Sequence, residues 1–267
     1  MPKRWVVPPG KRVRLDRIDP GSSAGAPGDK GETTEASGAL QAEIAELQDR
    51  LWAETRRCVL IVLQGMDGSG KDGTIRHVFS GLAPQATKVV SFKAPTEHEL
   101  AHDFLWRVHG AMPMHGEIGI FNRSHYEDVL VVRVKKLVEE PVWRARYPLI
   151  NDFEAILASG GTTVIKLFLH ISRDEQRKRF EERLSRPDKR WKFRVGDLED
   201  RELWDRYRAA YEDAISATST ATAPWYVVPA DRKWYRNWVA STILLETLRN
   251  MDPRYPLAPE LGGVVIP

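Results

Sequence analysis

The segment Cys58-Val59-Leu60-Ile61-Val62-Leu63-Gln64-Gly65-Met66-Asp67-Gly68-Ser69-Gly70-Lys71 decides the fold of this chain. Its first six residues are apolar at every position, which is typical of a parallel strand covered on both faces. Gly65 to Lys71 then follow the G-x-x-x-x-G-K pattern of a phosphate-binding loop, in its required place between a strand and a helix. Such a loop, here called the P-loop, turns backbone N–H groups towards phosphate oxygens, and the next helix adds positive charge. We expect phosphate contacts from Gly65, Gly68, Ser69, Gly70, Lys71, Asp72 and Gly73.

Strands and helices alternate on either side of the P-loop. The apolar patterns predict strands at 58–64, 87–92, 117–122, 162–170 and 225–228. They predict helices at 39–56, 71–83, 96–109, 124–138, 141–159, 173–185, 197–217 and 232–250. This alternation predicts an α/β fold, a three-layer α/β/α sandwich around a mostly parallel five-stranded sheet. In such sheets functional residues lie at the carboxyl ends of the strands.

The chain divides into three predicted parts. Residues 19–38 are rich in Gly, Ser, Ala and Pro and lack aromatic and β-branched apolar side chains, which is typical of a flexible linker. We therefore predict an N-terminal arm and linker at 1–38, a folded domain at 39–255 and a C-terminal tail at 256–267.

Composition excludes several classes of protein. The 267 residues are 42% hydrophobic and 29% charged, as in soluble globular proteins, and the apolar run at 58–63 is far too short to cross a membrane. A single cysteine, Cys58, excludes an intramolecular disulfide and favours a reducing, cytoplasmic location. The 40 basic residues nearly balance the 37 acidic ones, and the resulting net charge of +3 does not by itself indicate nucleic-acid binding.

The P-loop departs from the general pattern at two positions. Lys71 supplies the usual point charge for a transferred phosphoryl group, but Asp72 stands where Ser or Thr would hold Mg²⁺. Asp67 places a carboxylate inside a phosphate cradle, which is useful only if a divalent cation bridges it to the phosphates. We therefore interpret Asp67 as a metal ligand. Asp72 either supports the metal from outside its ligands or interacts with the helix dipole.

The third strand ends in a second candidate cluster. Arg123 is placed to contact a phosphoryl group as a fork-shaped donor, and Asn122 stands where an acid usually ends this strand. Glu127 is either the capping-box partner of Ser124 or a metal or base residue. Tyr126 is expected to pack or to line the substrate pocket.

A basic segment follows the fourth strand. Residues 173–194 hold ten basic and five acidic side chains, a local charge of +5. Pro187 interrupts the helix there, which predicts a hinged lid at about 183–196. Interleaved acids favour a salt-bridged surface helix for 173–182, whereas phosphate contacts are expected from Arg183, Arg186, Lys189, Arg190 and Lys192. Residues lining a nucleotide pocket are expected at Lys93, Pro95, Thr96, Asn122 and Tyr126.

Four segments together resemble the family-2 polyphosphate kinases. They are the P-loop with its continuation to Gly73, Phe121-Asn122-Arg123-Ser124-His125-Tyr126-Glu127-Asp128, Arg186-Pro187-Asp188-Lys189-Arg190-Trp191-Lys192-Phe193, and Trp225-Tyr226-Val227-Val228-Pro229-Ala230-Asp231-Arg232-Lys233. They span roughly residues 40 to 250, the whole predicted domain.

The resemblance implies a thymidylate-kinase-like P-loop kinase fold with a helical lid. It implies Mg²⁺-dependent transfer of phosphoryl groups between inorganic polyphosphate and AMP or ADP, with guanine nucleotides also possible and Mn²⁺ a substitute metal. By position, Asp67, Lys71, Arg123 and Glu127 would be the catalytic residues, with Asp67 on the metal. The Asn-Arg-Ser-His-Tyr-Glu version is similar to the class III subgroup, which accepts nucleoside mono- and diphosphates. Asn122 leaves one anionic ligand fewer, so the number of metals stays open.

Two alternatives remain at this stage. An ATP-dependent nucleotide or small-molecule kinase with an atypical P-loop is the first, and a polyphosphate- or nucleic-acid-binding module without catalysis is the second. Asp67 and the absence of Ser or Thr after Lys71 argue against the first, and Lys71 with Arg123 argues against the second. A homo-oligomer, dimer or tetramer, is expected, with Leu47, Leu51 and Trp52 of the first helix as a candidate subunit contact.

Overall fold

A computed structural model describes residues 4–257 except 192 and 195. The strands are β1 (Val6–Val7), β2 (Cys58–Gln64), β3 (Thr87–Ser91), β4 (Ile118–Asn122), β5 (Thr162–His170) and β6 (Trp225–Pro229). The helices are α1 (Lys30–Glu54), α2 (Lys71–Val78), α3 (Glu97–Leu100), α4 (Trp106–His109), α5 (Glu127–Val134), α6 (Glu140–Ser159), α7 (Arg173–Ser185), α8 (Pro187–Arg190), α9 (Gly196–Glu202), α10 (Trp204–Thr218) and α11 (Lys233–Met251). Short 3-10 turns lie at Leu15–Arg17 and Pro84–Ala86.

One mixed sheet organises the described residues, in the order β1-β6-β5-β2-β4-β3. All neighbouring strands run parallel except β1, which pairs antiparallel with β6 through Val6 and Val7. The predicted three-layer α/β fold is confirmed, but the strand number of five is wrong. The sixth strand was missed because two residues are too short to show the alternation that identifies a strand.

The central strand β2 separates two apolar layers. Leu60 and Val62 pack in the layer that contains α5, α6 and α10. Val59, Ile61 and Leu63 pack in the layer that contains α1 and α11. All seven residues of β2 are buried, as expected for a strand covered on both faces. Its carboxyl end therefore delivers the P-loop to the edge of a rigid core.

Helix α1 begins well before the predicted residue 39. The Asp29 side chain accepts hydrogen bonds from Gly31 N and Glu32 N, and Glu32 completes a capping box. The predicted linker is therefore wrong over 30–38, because a local cap and the burial of Thr33 and Ser37 offset the poor helix propensity of this stretch.

The remainder of the predicted linker contacts the domain. Tyr235 Oη donates to the carbonyl of Ala24 at 2.6 Å, and Arg232 Nε donates to the carbonyl of Gly21 at 2.9 Å. Leu47 and Leu51 of α1 are buried in the layer that holds α11, so the expected subunit contact is wrong for these two residues, while for the partly buried Trp52 it stays a prediction. No helix within the described ranges is long and apolar enough to cross a membrane.

Several predicted helices are shorter or divided. The expected helix at 96–109 is two short ones, α3 and α4, and the one at 197–217 is interrupted at Leu203 between α9 and α10. The strands β2 and β5 and the helix α7 have the predicted bounds.

Candidate active site

The P-loop joins β2 to α2 through left-handed glycines. Gly68 and Gly70 have φ of 80° and 100°, values that L side chains rarely adopt. A Cβ atom on Gly70 would lie 1.9 Å from Arg236 Nη1, so the loop also needs glycine for space. The Ser69 hydroxyl is buried and has no hydrogen-bond partner within the described residues, and a phosphate oxygen in the loop would supply one. The backbone thus has the form of an anion cradle at the start of α2.

Two buried arginines support the P-loop from behind. Arg179 is 6% exposed and donates to the carbonyls of Gly68 and Ser69 at 2.9 and 3.0 Å, while Arg236, 3% exposed, donates to Ser69 at 3.3 Å. Burial and the neighbouring Arg179 lower the pKa of Arg236 to about 9. The prediction of a surface helix for 173–182 is therefore wrong at Arg179. Two cations in contact with loop carbonyls therefore place positive charge beneath the anion cradle.

Lys71 lies inside the loop. Its ammonium donates to the carbonyl of Gly65 at 2.7 Å. Burial lowers the pKa of Lys71, and the nearby Asp67 carboxylate opposes that shift. The side chain is therefore folded over the loop, and its predicted contact with a phosphate stays a prediction.

Asp67 forms an ion pair with Arg123, 2.9 Å between Oδ1 and Nη2. Burial alone would raise the pKa of Asp67, but Lys71 and Arg123 outweigh it and lower the pKa. The backbone carbonyl of Asp67 accepts a hydrogen bond from Gln176 Nε2 at 2.7 Å. The carboxylate is thus held in its ionised form between two cations.

Arg123 reaches this position from a strained backbone. Its φ is 63°, in the left-handed region, and its N–H donates to the carbonyl of Leu63 at 3.1 Å. Burial would lower the pKa of Arg123, but Glu127 and Asp67 raise it further above its ordinary value. Non-glycine residues in this region occur mainly where the surroundings impose them, often at functional sites.

Glu127 belongs to this cluster and does not cap α5. The helix has Tyr126 at its N-cap, with no side-chain hydrogen bond, so the capping-box interpretation of Ser124 is wrong. Burial raises the pKa of Glu127 against the opposing effect of Arg123 and Lys71. The structure therefore brings together the four residues predicted to be catalytic, the acidic Asp67 and Glu127 and the basic Lys71 and Arg123. They lie in the segments that follow β2 and β4.

Two residues that depart from the usual pattern, Asp72 after the P-loop lysine and Asn122 at the end of β4, contact each other. Asn122 Nδ2 donates to Asp72 Oδ1 at 2.9 Å. The amide at the end of β4 thus holds a carboxylate at the start of α2. This geometry favours the interpretation in which Asp72 supports the site over one in which it only interacts with the helix dipole.

Of the two roles expected for Tyr126, the structure shows packing in the core, and the expectation that it lines the nucleotide pocket is wrong. Its side chain is fully buried, and its hydroxyl donates to Glu154 Oε1 at 2.9 Å in the core. His125 beside it is also fully buried. A tyrosine in the turn between a strand and a helix can lie in the core or in a pocket, so sequence alone could not decide the direction of its side chain.

The other predicted nucleotide-pocket residues follow β3. Lys93, Pro95 and Thr96 are exposed, in the loop that leaves the carboxyl end of β3 next to Asn122 of β4. Thr96 forms the predicted capping box with Glu99 at the start of α3. The loop is exposed and follows the strand beside β4, and its role in a nucleotide pocket stays a prediction.

The predicted lid residues divide into two groups. Arg183 lies close enough to Asp67 to lower the pKa of that carboxyl, and it also approaches Asp197 at 3.8 Å. Arg186 and Lys189 instead pair with acids of the lid itself, at 2.8 Å to Asp188 and Glu182 respectively. Arg190 donates to the carbonyl of Leu184 at 3.0 Å, and Lys192 lies outside the described residues. Among the predicted lid residues that the structure describes, Arg183 is the one that lies near Asp67.

The structure places five further polar side chains beside the P-loop or its neighbouring turn, and the sequence analysis assigned none of them: Gln64, Gln176, Arg179, Arg236 and Tyr211. Gln64 donates to Ser124 Oγ at 3.2 Å, and Tyr211 Oη donates to Gln64 Oε1 at 3.3 Å. Gln64 is the last residue of β2, at the strand end where function is expected. That position was the only available signal, because the other four come from helices distant in sequence.

Within the described part of the chain, no three acidic, histidine or cysteine side chains converge as a metal cage. One ionised carboxylate, Asp67, beside an anion cradle fits a Mg²⁺ ion that takes most of its ligands from phosphates and water. The donor set therefore suits a metal that arrives with phosphate.

Comparison with known proteins decides the family. The profile described as Polyphosphate kinase 2 (PPK2) matches residues 28–256. The chain belongs to the polyphosphate kinase 2 family. Among curated members, it is 57% identical over 254 residues to the AMP/ADP-polyphosphate phosphotransferase of Meiothermus ruber, covering 95% of each chain. It is 47% identical over 225 residues to the ADP-polyphosphate phosphotransferase of Rhodopseudomonas palustris, covering 80% of this chain and 78% of that one.

A solved polyphosphate kinase 2 structure has the same fold. The enzyme from Arthrobacter aurescens TC1 superposes with a TM-score of 0.90 at 42% sequence identity, over 96% of this chain and 94% of that one. The polyphosphate kinase 2 fold therefore extends over nearly the whole length of the chain, and the predicted resemblance is confirmed.

Proposed function

We propose that this protein transfers the terminal phosphoryl group of inorganic polyphosphate to AMP or ADP. The observation that carries the proposal is the cluster of Lys71, Arg123 and Asp67 at the P-loop, in a chain that is 57% identical over 254 residues to an AMP/ADP-polyphosphate phosphotransferase. In-line phosphoryl transfer requires positioning and charge neutralisation more than covalent participation by the protein.

The residues have distinct tasks in this reaction. An oxygen of the acceptor's terminal phosphate attacks the terminal phosphorus of the donor, and the bond from that phosphorus to the bridging oxygen breaks. The shortened polyphosphate leaves with the bond electrons. Lys71 and the P-loop amides neutralise the donor phosphates, and Arg123 contacts the equatorial oxygens of the moving group. Arg179 and Arg236 hold the loop in shape beneath them.

We propose Mg²⁺ as the metal of this reaction, with Mn²⁺ as a substitute. Asp67 is the residue that would hold it, because its carboxylate is ionised and adjoins the cradle. When bound, the metal would neutralise phosphate charge. Both ions prefer oxygen ligands, so the same carboxylate suits either.

Nucleotide assays test this function. Purified protein receives long-chain polyphosphate with ADP, and ATP is measured; AMP replaces ADP in a parallel reaction that measures ADP. Formation of ATP or ADP that requires polyphosphate supports the proposal. Phosphorylation of AMP by ATP without polyphosphate would instead support the ATP-dependent kinase, and no transfer from either donor would support the binding module. The same assay with GMP and GDP establishes base preference.

We also propose that the protein forms a homo-oligomer through α6. Val142, Leu149 and Ile156 are exposed by 45 to 62% and repeat every seven residues along one face of that helix. A two-fold axis at Leu149 would set Val142 of one copy opposite Ile156 of the other, a self-complementary arrangement. Size-exclusion chromatography with light scattering tests this: Leu149→Glu should yield monomers, whereas the exposed Leu100→Glu should not.

The cytoplasmic location stays a prediction, which a fluorescent fusion in the source cell would test.

A further inference from the structure

A buried ion pair lies beneath the turn that carries Arg123. Lys166 of β5 and Glu154 of α6 are 0% and 1% exposed, and their Nζ and Oε2 atoms are 2.5 Å apart. Lys166 also donates to the carbonyl of Thr218, the last residue of α10, at 2.6 Å. The pair thus joins three elements in the middle of the apolar layer.

Tyr126 connects this pair to the active-site turn. Its hydroxyl donates to Glu154 Oε1 at 2.9 Å and accepts from Lys166 Nζ at 3.0 Å. Tyr126 is three residues after Arg123 and directly before Glu127, the two members of the catalytic cluster that β4 and α5 supply. Its anchor therefore fixes the chain between them.

The turn needs such an anchor. Arg123 adopts a φ of 63°, a left-handed conformation that is unfavourable for a non-glycine residue. Such conformations persist only where the surrounding structure imposes them. A buried ion pair is itself a poor source of stability, because apolar side chains of the same volume often serve equally well. Its presence under a strained functional turn indicates a role in geometry.

We propose that Lys166 and Glu154 are positioning residues for phosphoryl transfer, acting through the Tyr126 hydroxyl on the turn that presents Arg123 and Glu127. This inference rests on the proposed function. It predicts that breaking the link lowers kcat while leaving substrate binding and the fold nearly unchanged.

Tyr126→Phe removes the contacts of this hydroxyl with Lys166, Glu154 and Thr218, while Lys166 and Glu154 keep each other. We expect kcat to fall at least tenfold, with KM for polyphosphate and ADP within threefold of wild type. Tyr147→Phe is the matched control, because Tyr147 is a buried tyrosine of α6 whose hydroxyl lies outside this network. A Tyr126→Phe enzyme whose kcat lies within twofold of the Tyr147→Phe enzyme overturns the inference.

A double-mutant cycle separates positioning from general stability. If Tyr126 acts through Arg123, Tyr126→Phe should cost less than threefold in an Arg123→Lys background. An equal loss in both backgrounds would show that Tyr126 acts independently of Arg123 and would overturn the inference.

The ion pair itself is tested by Lys166→Met combined with Glu154→Gln, which removes both charges and leaves none unpaired. Circular dichroism should show a folded protein, and kcat should fall at least tenfold. A folded double variant with wild-type kcat contradicts the role of the pair. If the wild-type protein transfers no phosphoryl group from polyphosphate, the proposed function itself has failed, which is a distinct outcome.

Discussion

Arg123 Nη2 lies 2.9 Å from Asp67 Oδ1, which joins the turn after β4 to the P-loop after β2. The two residues are 56 positions apart in sequence, yet β2 and β4 are adjacent parallel strands that end at the same edge of the sheet. This ion pair keeps a carboxylate anionic within a phosphate cradle. The cluster, the arginines that support it and the lid lead to five predictions.

Lys71→Ala should reduce kcat by about 100- to 1,000-fold, because it removes a positioned cation from the transferred phosphoryl group. Circular dichroism should report an intact fold, since the loop glycines and the buried arginines remain. Lys178→Ala, on the exposed face of α7, is the control and should keep wild-type turnover. Near-normal turnover of Lys71→Ala would remove the P-loop assignment.

Asp67→Asn should raise the Mg²⁺ concentration for half-maximal rate by about tenfold, the effect of losing one charged contact of 1–2 kcal/mol. Rates over a Mg²⁺ titration measure this. Asp205→Asn changes an exposed acid of α10 and should leave the titration unchanged. If both variants behave alike, Asp67 only shapes the loop.

The protonation of Glu127 should set the fall in rate on the acid side of the pH–rate profile. Burial raises the pKa of Glu127, so on acidification its charge is lost at a higher pH than that of an exposed glutamate. Activity that needs the ionised carboxylate is therefore full above this raised pKa and falls as the pH drops through it. Asp67, whose pKa is lowered, should stay ionised throughout that range.

In Glu127→Gln, kcat/KM should be reduced and this acid limb should disappear. Measuring kcat/KM for ADP from pH 5 to 8 in both enzymes tests the assignment. A limb that persists unchanged in the variant belongs to another group.

Arg179→Met should lower the free energy of unfolding by about 2–4 kcal/mol, because four carbonyl acceptors lose a buried charged donor. Those acceptors are Gly68, Ser69, Ala230 and Asp231. Arg177→Met, two residues earlier on the exposed side of α7, should change stability by less than about 0.5 kcal/mol. Urea unfolding compares the two, and equal effects would contradict a buried support.

Neutralising Arg186 and Lys189 together should weaken polyphosphate binding more than ADP binding. To bind these two side chains, a polyanion must displace Asp188 and Glu182. Each exposed contact with polyphosphate therefore adds about 1 kcal/mol or less, and losing both should raise the polyphosphate KM by up to about tenfold. The salt dependence of the polyphosphate KM should also flatten, by analogy with nucleic-acid phosphates.

The measurement is KM for both substrates of Arg186→Gln with Lys189→Gln, at two ionic strengths. Arg144→Gln, an exposed arginine of α6 paired with Glu140, is the control. An equal rise in both KM values would indicate that the lid closes over the whole site and does not bind the donor selectively.

The sequence by itself determined those features of this protein that depend on residues close together in the chain. The bounds of β2 and β5 and the P-loop glycines follow from apolar runs and from backbone conformations that only certain residues adopt. Lys71 and Arg123 could be assigned because each directly follows a strand or its loop, and strand ends of a parallel sheet converge.

The tertiary structure decided which polar side chains are turned inward. Arg179 lies in a helix with a surface-like charge pattern, yet it is buried against the P-loop, and Tyr126, expected at a pocket, anchors to Lys166 and Glu154 in the core. The physical reason is that burial of a polar group depends on partners from several distant elements, which must satisfy its hydrogen bonds together. No periodicity along a single helix or strand contains that information.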